Sequence, residues 1–384
     1  MDDPSLERRL RVRIKGAVHR FAAVVPPGFE RTAMAELEAC GVSDFGEPAK
    51  GLVFWQGKIE SFWTAHAIAR LPASIRWQVA EFGATGFAEL RRKCERVEWE
   101  LFLPEGAPVR LSVASDSSRL WHEGAIAEEI ERALASRGHA VGGEGTSLFA
   151  RMERDRCALW LEGDPEPLYR RGLDKRVAAA PLRDNLAWGL LLESGIGSVS
   201  RLCDPMCGSG SFSLEAFLAS SGAHPAKTRR FDFERWPSTR ERAWEHLRAH
   251  LPERHPLAPE NPRIDCSDLD PDAVSTAAAN FAATGLPGAP EPRVEQFFDL
   301  KPEAAEGRRS LLVLNPPWGK RIAERDLRKL YAEIGRKIAA DFRSWDWMVL
   351  APGLEAEKAL GLRWERKLLF RSGGIGLGAL FGRA

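Results

Sequence analysis

The run Leu311-Leu312-Val313-Leu314-Asn315-Pro316-Pro317-Trp318 closes an apolar stretch with an amide, two prolines and an indole. These residue types suit one chemistry, the presentation of a planar amine as a nucleophile. The lone pair of an exocyclic base amine is delocalised into its ring, and two acceptors on its hydrogens draw it toward a tetrahedral geometry. The Asn315 side-chain oxygen can be one acceptor. The Pro316 carbonyl can be the other, held stiff because Pro317 has a fixed φ and restricts Pro316 to extended values. Trp318 offers a face for the base, and such stacking contributes about 1–3 kcal/mol per base in single-strand binders. Catalysis of this kind is orientation and charge placement, with no demand for a strong general base. The plain alternative is a loop whose prolines end a strand.

Three more stretches carry comparable residues. Asp204-Pro205-Met206-Cys207-Gly208-Ser209-Gly210-Ser211 places two glycines where backbone can approach a ligand and turn into a helix with free N–H groups. A dinucleotide fingerprint wants a third glycine, where Ser213 stands, and a tight structural turn explains the pair equally well. Asp268 and Asp270 follow the stretch Arg263–Ser267. Asp268 reads as an acceptor for ribose hydroxyls, and Asp270, followed by Pro271, as a helix cap. Asp299, after Phe297-Phe298, could accept from an adenine amino group, or be an exposed turn carboxylate. Jointly the four describe a site for S-adenosylmethionine beside a site for a target amine, the cofactor carrying the reactive methyl.

These stations need a scaffold. From about residue 184 apolar strands alternate with helices, which predicts a mostly parallel, doubly wound α/β sheet whose strand ends carry the ligand. A mixed-charge insertion at about 221–262 interrupts it, and a hairpin over "RKLLFRSGGIGLGALFGR" closes it. Before about residue 164 short strands and helices predict a smaller α+β region. Its first arginine-rich residues read as a flexible or edge segment.

The 384 residues exceed one compact core, so two or three domains are expected. A formal net charge of +1 gives no bulk preference for any partner, so a nucleic-acid binder must concentrate its positive charge locally. Six cysteines without a CxxC pair or a neighbouring His set predict reduced, packed thiols and no metal. The charged N-terminus has no signal-peptide pattern, and no stretch approaches the roughly 18 apolar residues of a membrane span. A soluble cytoplasmic protein is expected, and nothing sets its oligomeric state.

"DPMCGSGSFSLEA" and "NPPWGKR" resemble the paired signatures of the THUMP-domain RNA methyltransferases that act on the N2 amine of guanosine. "EPLYRRG" with "APLRDNLA", "RFDFERWPSTRERAWEHLR" and the closing hairpin are similar to other parts of that family, as are "VPPGFERTAMAELEACG" and "SRLWHEGAIAEEIERALASRG" upstream. The resemblance implies a basic segment at 1–18, a ferredoxin-like module at 19–65, a THUMP-like RNA-binding module at 66–163, a basic linker at 164–183 and a Rossmann-like methyltransferase domain at 184–384. It implies that Asp204, Met206, Cys207, Gly208, Gly210, Asp268 and Asp299 line the cofactor pocket, and that Asn315 to Trp318 hold the guanine. Two departures stand out: the family more often has Tyr at the position of Trp318, and "RGLDKR" replaces a glycine-tyrosine-arginine run.

The implied partner is structured rRNA, most readily 23S, or tRNA. Phosphate contacts are expected from Arg170, Arg171, Lys175 and Arg176 and from Lys320 and Arg321, with the N-terminal arginines and Arg229, Arg230 and Arg235 as further candidates. Trp121 and His122 could stack on RNA, although a Trp more often packs in a core. Competing functions are a tRNA guanine-N2, adenine-N6 or glutamine methyltransferase, a non-catalytic RNA binder that keeps the cofactor fold, and a nicotinamide dehydrogenase, which Ser213 disfavours.

Overall fold

The computed structural model describes residues 4–176, 182–303, 309–317 and 324–384. Trp318, Lys320 and Arg321 lie outside them. The chain divides into two units. One comprises 1–25, 37–168 and 225–251, and the other 26–36, 169–224 and 252–384.

The first unit is built on a six-stranded sheet, β1 (His19–Val24), β2 (Leu52–Gly57), β3 (Ser74–Gly83), β4 (Val109–Asp116), β5 (Thr146–Glu153) and β6 (Arg156–Glu162), in the order β2-β1-β3-β6-β5-β4. Neighbours run antiparallel except β4 and β5, which are parallel. Period-two alternation puts Phe21, Trp55, Ile75, Trp77, Leu148, Met152, Leu159 and Leu161 in the core. Helices α1 (Pro4–Arg9), α3 (Ile59–Ile68), α4 (Phe87–Glu95) and α5 (Glu123–Ser136) belong to this unit, and α2 (Glu30–Ala39) straddles the division. The expected boundary at 65/66 falls inside α3, and strands from both sides of it share one sheet.

The first arginine-rich residues are helical, continuing from α1 into a π-helix over Leu10–Lys15. Arg9 pairs with Glu98 and Glu100, and Arg13 with Glu98, which gives the segment fixed partners.

The insertion that follows residue 220 contributes α8 (Pro225–Thr228) and α9 (Glu241–Ala249) to the first unit. Its aromatics explain why. Phe233 lies 5.4 Å from Phe62 and 4.9 Å from His66, and Trp236 stacks 6.1 Å from Phe62, ring centre to ring centre. Arg229 is buried, donating to the Pro167 and Glu166 carbonyls at 3.0 and 2.7 Å. Arg230 pairs with Glu234 and Arg235 with Asp232. Arg229 is therefore a core anchor, not a phosphate contact.

The second unit holds a seven-stranded sheet, β7 (Arg201–Asp204), β8 (Arg263–Asp268), β9 (Arg293–Val294), β10 (Ser310–Leu314), β11 (Asp346–Ala351), β12 (Arg366–Ser372) and β13 (Ile375–Arg383), in the order β12-β13-β11-β10-β7-β8-β9. Strands β9, β8, β7, β10 and β11 are parallel, and β13 runs antiparallel between β11 and β12 as the closing hairpin. All five residues of β10 are buried, as a strand covered on both faces requires. Helices α6 (Asp184–Glu193), α7 (Ser211–Ser220), α10 (Pro271–Ala282), α11 (Glu324–Asp341) and α12 (Leu354–Leu360) complete it. From β7 the chain builds outward through β8 and β9, then returns to β10 on the other side. That reversal opens a crevice at the carboxyl ends of β7 and β10.

Candidate active site

A cavity of about 660 Å³ lies at that crevice. It is lined after β7 by Pro205 to Ser209, Ser211 and Phe212, and after β8 by Asp268 to Asp270 and Ala273. Gln296, Phe297 and Phe298 follow β9, Asn315 and Pro317 follow β10, and Leu182 and Leu330 complete the wall. The volume suits a drug-sized ligand.

The turn after β7 is held by four side chains. Asp204 is fully buried, and its Oδ2 accepts from Ser213 Oγ at 2.8 Å and Ser213 N–H at 3.3 Å. Burial pushes its carboxyl up to about 7 against those two hydrogen bonds, and its Oδ1 has no protein partner. Gly208 has φ +55° and Gly210 φ +84°, where a side chain is strained. A Cβ on Gly208 would meet no atom within 4 Å, whereas one on Gly210 would press on Ala277 at 3.4 Å. Gly208 thus leaves open space beside the cavity, and Gly210 permits close helix packing. Asp268 Oδ2 accepts the Gly208 N–H at 2.8 Å and its Oδ1 the Asp270 N–H at 3.0 Å. Asn280, buried on α10, donates to the Ser209 carbonyl at 2.9 Å and bonds the backbone of Arg176 in both directions. Asp270 caps α10 by accepting the Asp272 N–H at 2.9 Å, with Pro271 in the first turn.

The cysteines are free and buried. Donation of the Cys207 S–H to the neighbouring Cys266 sulfur, together with burial, pushes the Cys207 thiol far up, so it lines the cavity as a neutral group. Among the described residues no cluster of three His, Cys, Asp or Glu is placed to hold a metal ion. No described helix is long and apolar enough to cross a membrane.

Asp268, Gly208, Cys207, Met206, Asn315 and Pro317 are therefore brought to one cavity. Asp204 and Gly210 stand behind the turn that shapes it, and Pro316 is buried. Asp299 is exposed and is not among the described lining residues. The three-residue turn after Gln296 rotates it outward, leaving Gln296 and the two phenylalanines inside. Arg171 corrects a second expectation. It is 5% exposed and forms a two-pronged ion pair with Glu215, Nε to Oε1 at 3.0 Å and Nη2 to Oε2 at 2.9 Å. A guanidinium so enclosed is closed off from a phosphate. Lys175 is paired with Asp184, while Arg170 and Arg176 are exposed. Trp121, for which a core position was the commoner expectation, is 74% exposed.

The family of RMKL-like methyltransferase domains, UPF0020, matches residues 171–378. The chain belongs to this family. Its curated relatives include "Ribosomal RNA large subunit methyltransferase K/L" of Syntrophotalea carbinolica, 30% identical over 90% of this chain and 50% of its own. The "Putative RNA methyltransferase slr0064" of Synechocystis is 28% identical over 92% of this chain and 94% of its own. The chain spans about half the length of the K/L relatives. Among solved structures, SMU.472 complexed with SAH superposes with a TM-score of 0.83 at 24% identity, covering 96% of this chain and 98% of that one. TrmN from Thermus thermophilus does so at 0.69 and 18% identity, covering 94% and 98%. These two likenesses extend over nearly the whole chain and show its fold.

Sequence reasoning missed Leu182, Phe212, Gln296 and Leu330 in the wall, and Ser213 and Asn280 behind it. Asn280 had a readable signal, an amide on the apolar face of "AVSTAAANFA". Leu182 and Leu330 come from other elements and had none.

Proposed function

We propose that this chain is an S-adenosylmethionine-dependent RNA methyltransferase that modifies the exocyclic N2 amine of a guanosine in 23S rRNA. The observation that carries the reading is the sharing of one cavity by Asn315 and Pro317, the Gly208 turn and Asp268. The names of the K/L relatives and the SAH-bound structure support the substrate class and the cofactor.

The residues fit the cofactor. Open space beside Gly208 suits close approach of its methionine end, and the unpartnered Asp204 Oδ1 is a buried polar atom behind that turn. Asp268 would accept from the ribose hydroxyls. Gln296 would accept from the adenine amino group in place of Asp299, with Phe297 and Phe298 flanking the ring. When bound, the cofactor supplies an electrophilic methyl on a sulfonium. The chain's own part is positional. The Asn315 side-chain oxygen and the Pro316 carbonyl would take the two amine hydrogens, turn the nitrogen lone pair toward the methyl, and spread the positive charge that develops there. Trp318 would stack on the base. Lys320 and Arg321, next in sequence, would hold its phosphate, and Arg170 and Arg176 would meet RNA further along. The base must be unpaired or drawn from its stack to enter.

The test is labelled methyl transfer from S-adenosylmethionine to total RNA from a strain lacking the gene, followed by nucleoside analysis of each RNA size class. Label in N2-methylguanosine of the large-subunit rRNA is expected. Label confined to tRNA would move the substrate, and label in N6-methyladenosine would overturn the choice of amine.

A further inference from the structure

One face of the six-stranded sheet is core, and the other is open. Along β1, β2, β3, β5 and β6 the residues alternating with the core set include Arg20, Phe54, Arg76, Phe149, Arg151 and Trp160. They line a trough of about 670 Å³. Its floor is cut low by Ala22, which pairs with Phe54 on one side and Arg76 on the other, and by Ala158, which faces Arg151. A β-bulge between Gln78 and Ala80 shifts the alternation and turns Glu81 to this face.

Two guanidinium groups lie over aromatic rings on this face. Arg76 lies 4.4 Å from the centre of the Phe149 ring, and Arg20 lies 5.1 Å from that of Phe54. Phe54 and Trp160 are 6.1 Å apart. A flat guanidinium on a ring offers its outer face to a further planar group, as nucleobases require. The lining also carries six cations, Arg20, Lys50, Arg76, Arg151, Arg154 and Arg156, against two carboxylates, Glu81 and Glu153. Glu162 pairs with Arg76 from the edge. In a chain with a net charge of +1, this is a local excess of the kind a polyanion needs. At one end of the trough, the turn holding Arg154 and Asp155 is tied to the loop before α5 by the Arg119 N–H to Asp155 Oδ1 bond of 2.7 Å, and that loop carries the exposed Trp121.

We infer that this open sheet face is a binding platform for a single-stranded RNA segment, whose bases stack on the half-buried Phe54 and Phe149 rings and their guanidinium covers, with the buried Trp160 beneath them, while its phosphates take the arginines. The choice of RNA rests on the substrate class proposed above. A duplex is disfavoured because its base faces are buried in its own stack, leaving only phosphates for this surface. The pairs of Arg151 with Glu153 and Arg156 with Glu81 are at the surface and exchange cheaply for phosphate.

The test uses the full chain without cofactor and a fluorescein-labelled unstructured oligoribonucleotide of about 12 nucleotides, alone or annealed to its complement, read by anisotropy across a salt series. The single strand is expected to bind about tenfold or more tighter than the duplex. The triple variant R20Q/R151Q/R154Q should weaken it about tenfold or more and lower the salt slope by about 2, near 0.7 for each phosphate no longer neutralised. Phe149→Leu keeps the apolar volume but not the ring face, and should weaken binding roughly fivefold with the salt slope unchanged. Thermal melting of each variant checks folding. Wild-type affinity and slope in both variants would overturn the platform. So would equal competition by an oligoglutamate peptide, which assigns the face to acidic protein, or a wild-type dimer that the triple variant dissolves. Binding is read apart from catalysis, so failure of methyl transfer on every RNA would sink the catalytic proposal and leave these binding results to decide the platform.

Discussion

The Asp268 carboxylate bridges two chain segments, accepting the Gly208 N–H at 2.8 Å with one oxygen and the Asp270 N–H at 3.0 Å with the other. One side chain at the end of β8 thereby closes the glycine turn after β7 and shapes the lead-in to α10. A ribose ligand at this position would be oriented by the same bonds that build the pocket.

Asp268→Ala removes both functions. Cofactor affinity is expected to fall at least about tenfold, and stability by about 1.5–3 kcal/mol for the missing charge-assisted bonds. Asp268→Asn keeps an acceptor oxygen and the shape, so it should recover most of the stability while still binding cofactor poorly. Isothermal titration with S-adenosylmethionine and a urea titration read the two effects separately. Unchanged affinity in both variants would remove Asp268 from the ribose site.

Asn315 sits at the carboxyl end of a fully buried strand and lines the cavity. Asn315→Ala should lower methyl transfer by about 10²–10³, the cost of deleting one preorganised polar group aimed at developing charge. Cofactor affinity should stay within about twofold, because no cofactor contact is assigned to this side chain. Single-turnover rates with saturating RNA are the measurement. Wild-type turnover would overturn its role.

The cavity was legible in the sequence because its parts are local. "DPMCGSG", "DLDP" and "NPP" each pack a strand end, a turn residue and a polar group into a few positions, and the sheet topology brings strand ends together. Asp299 misled because a carboxylate after an apolar pair says nothing of the turn that follows, which points the phenylalanines inward and the acid outward. Arg171 misled for a different reason. Its partner Glu215 is 44 residues away on α7, and a basic run looks the same whether its members are solvated or buried. The destination of the insertion was hidden too, since "RFDFERW" gives its charges in full view while Phe233 and Trp236 find their partners near residue 62.

Glu215 is fully buried, and the Arg171 side chain covering it is 4% exposed. Glu215→Gln leaves a guanidinium without its counter-charge in the interior, and should cost about 3–5 kcal/mol. The double variant R171M/E215L removes both charges and should recover much of that loss. Urea denaturation of the set measures it. Were Arg171 a phosphate contact, Arg171→Met would weaken RNA binding and leave stability untouched.

Asp204 gives the chain a predictable pH dependence. Its folded value of about 7 stands above the usual aspartate value of about 3.9, because burial opposes the charge. Between those values the folded state holds a proton that the unfolded chain releases, so stability is highest below about pH 4 for this group and declines as pH rises toward 7. The full difference is about 4 kcal/mol. Asp204→Asn cannot ionise, so its unfolding free energy should fall less than that of the wild type between about pH 5 and pH 8. Ser213→Ala deletes the hydroxyl bond that lowers the value, and should carry the decline to still higher pH. Urea denaturation of the three proteins across this range is decisive: parallel curves would mean that Asp204 ionises in the folded chain as it does in the unfolded one.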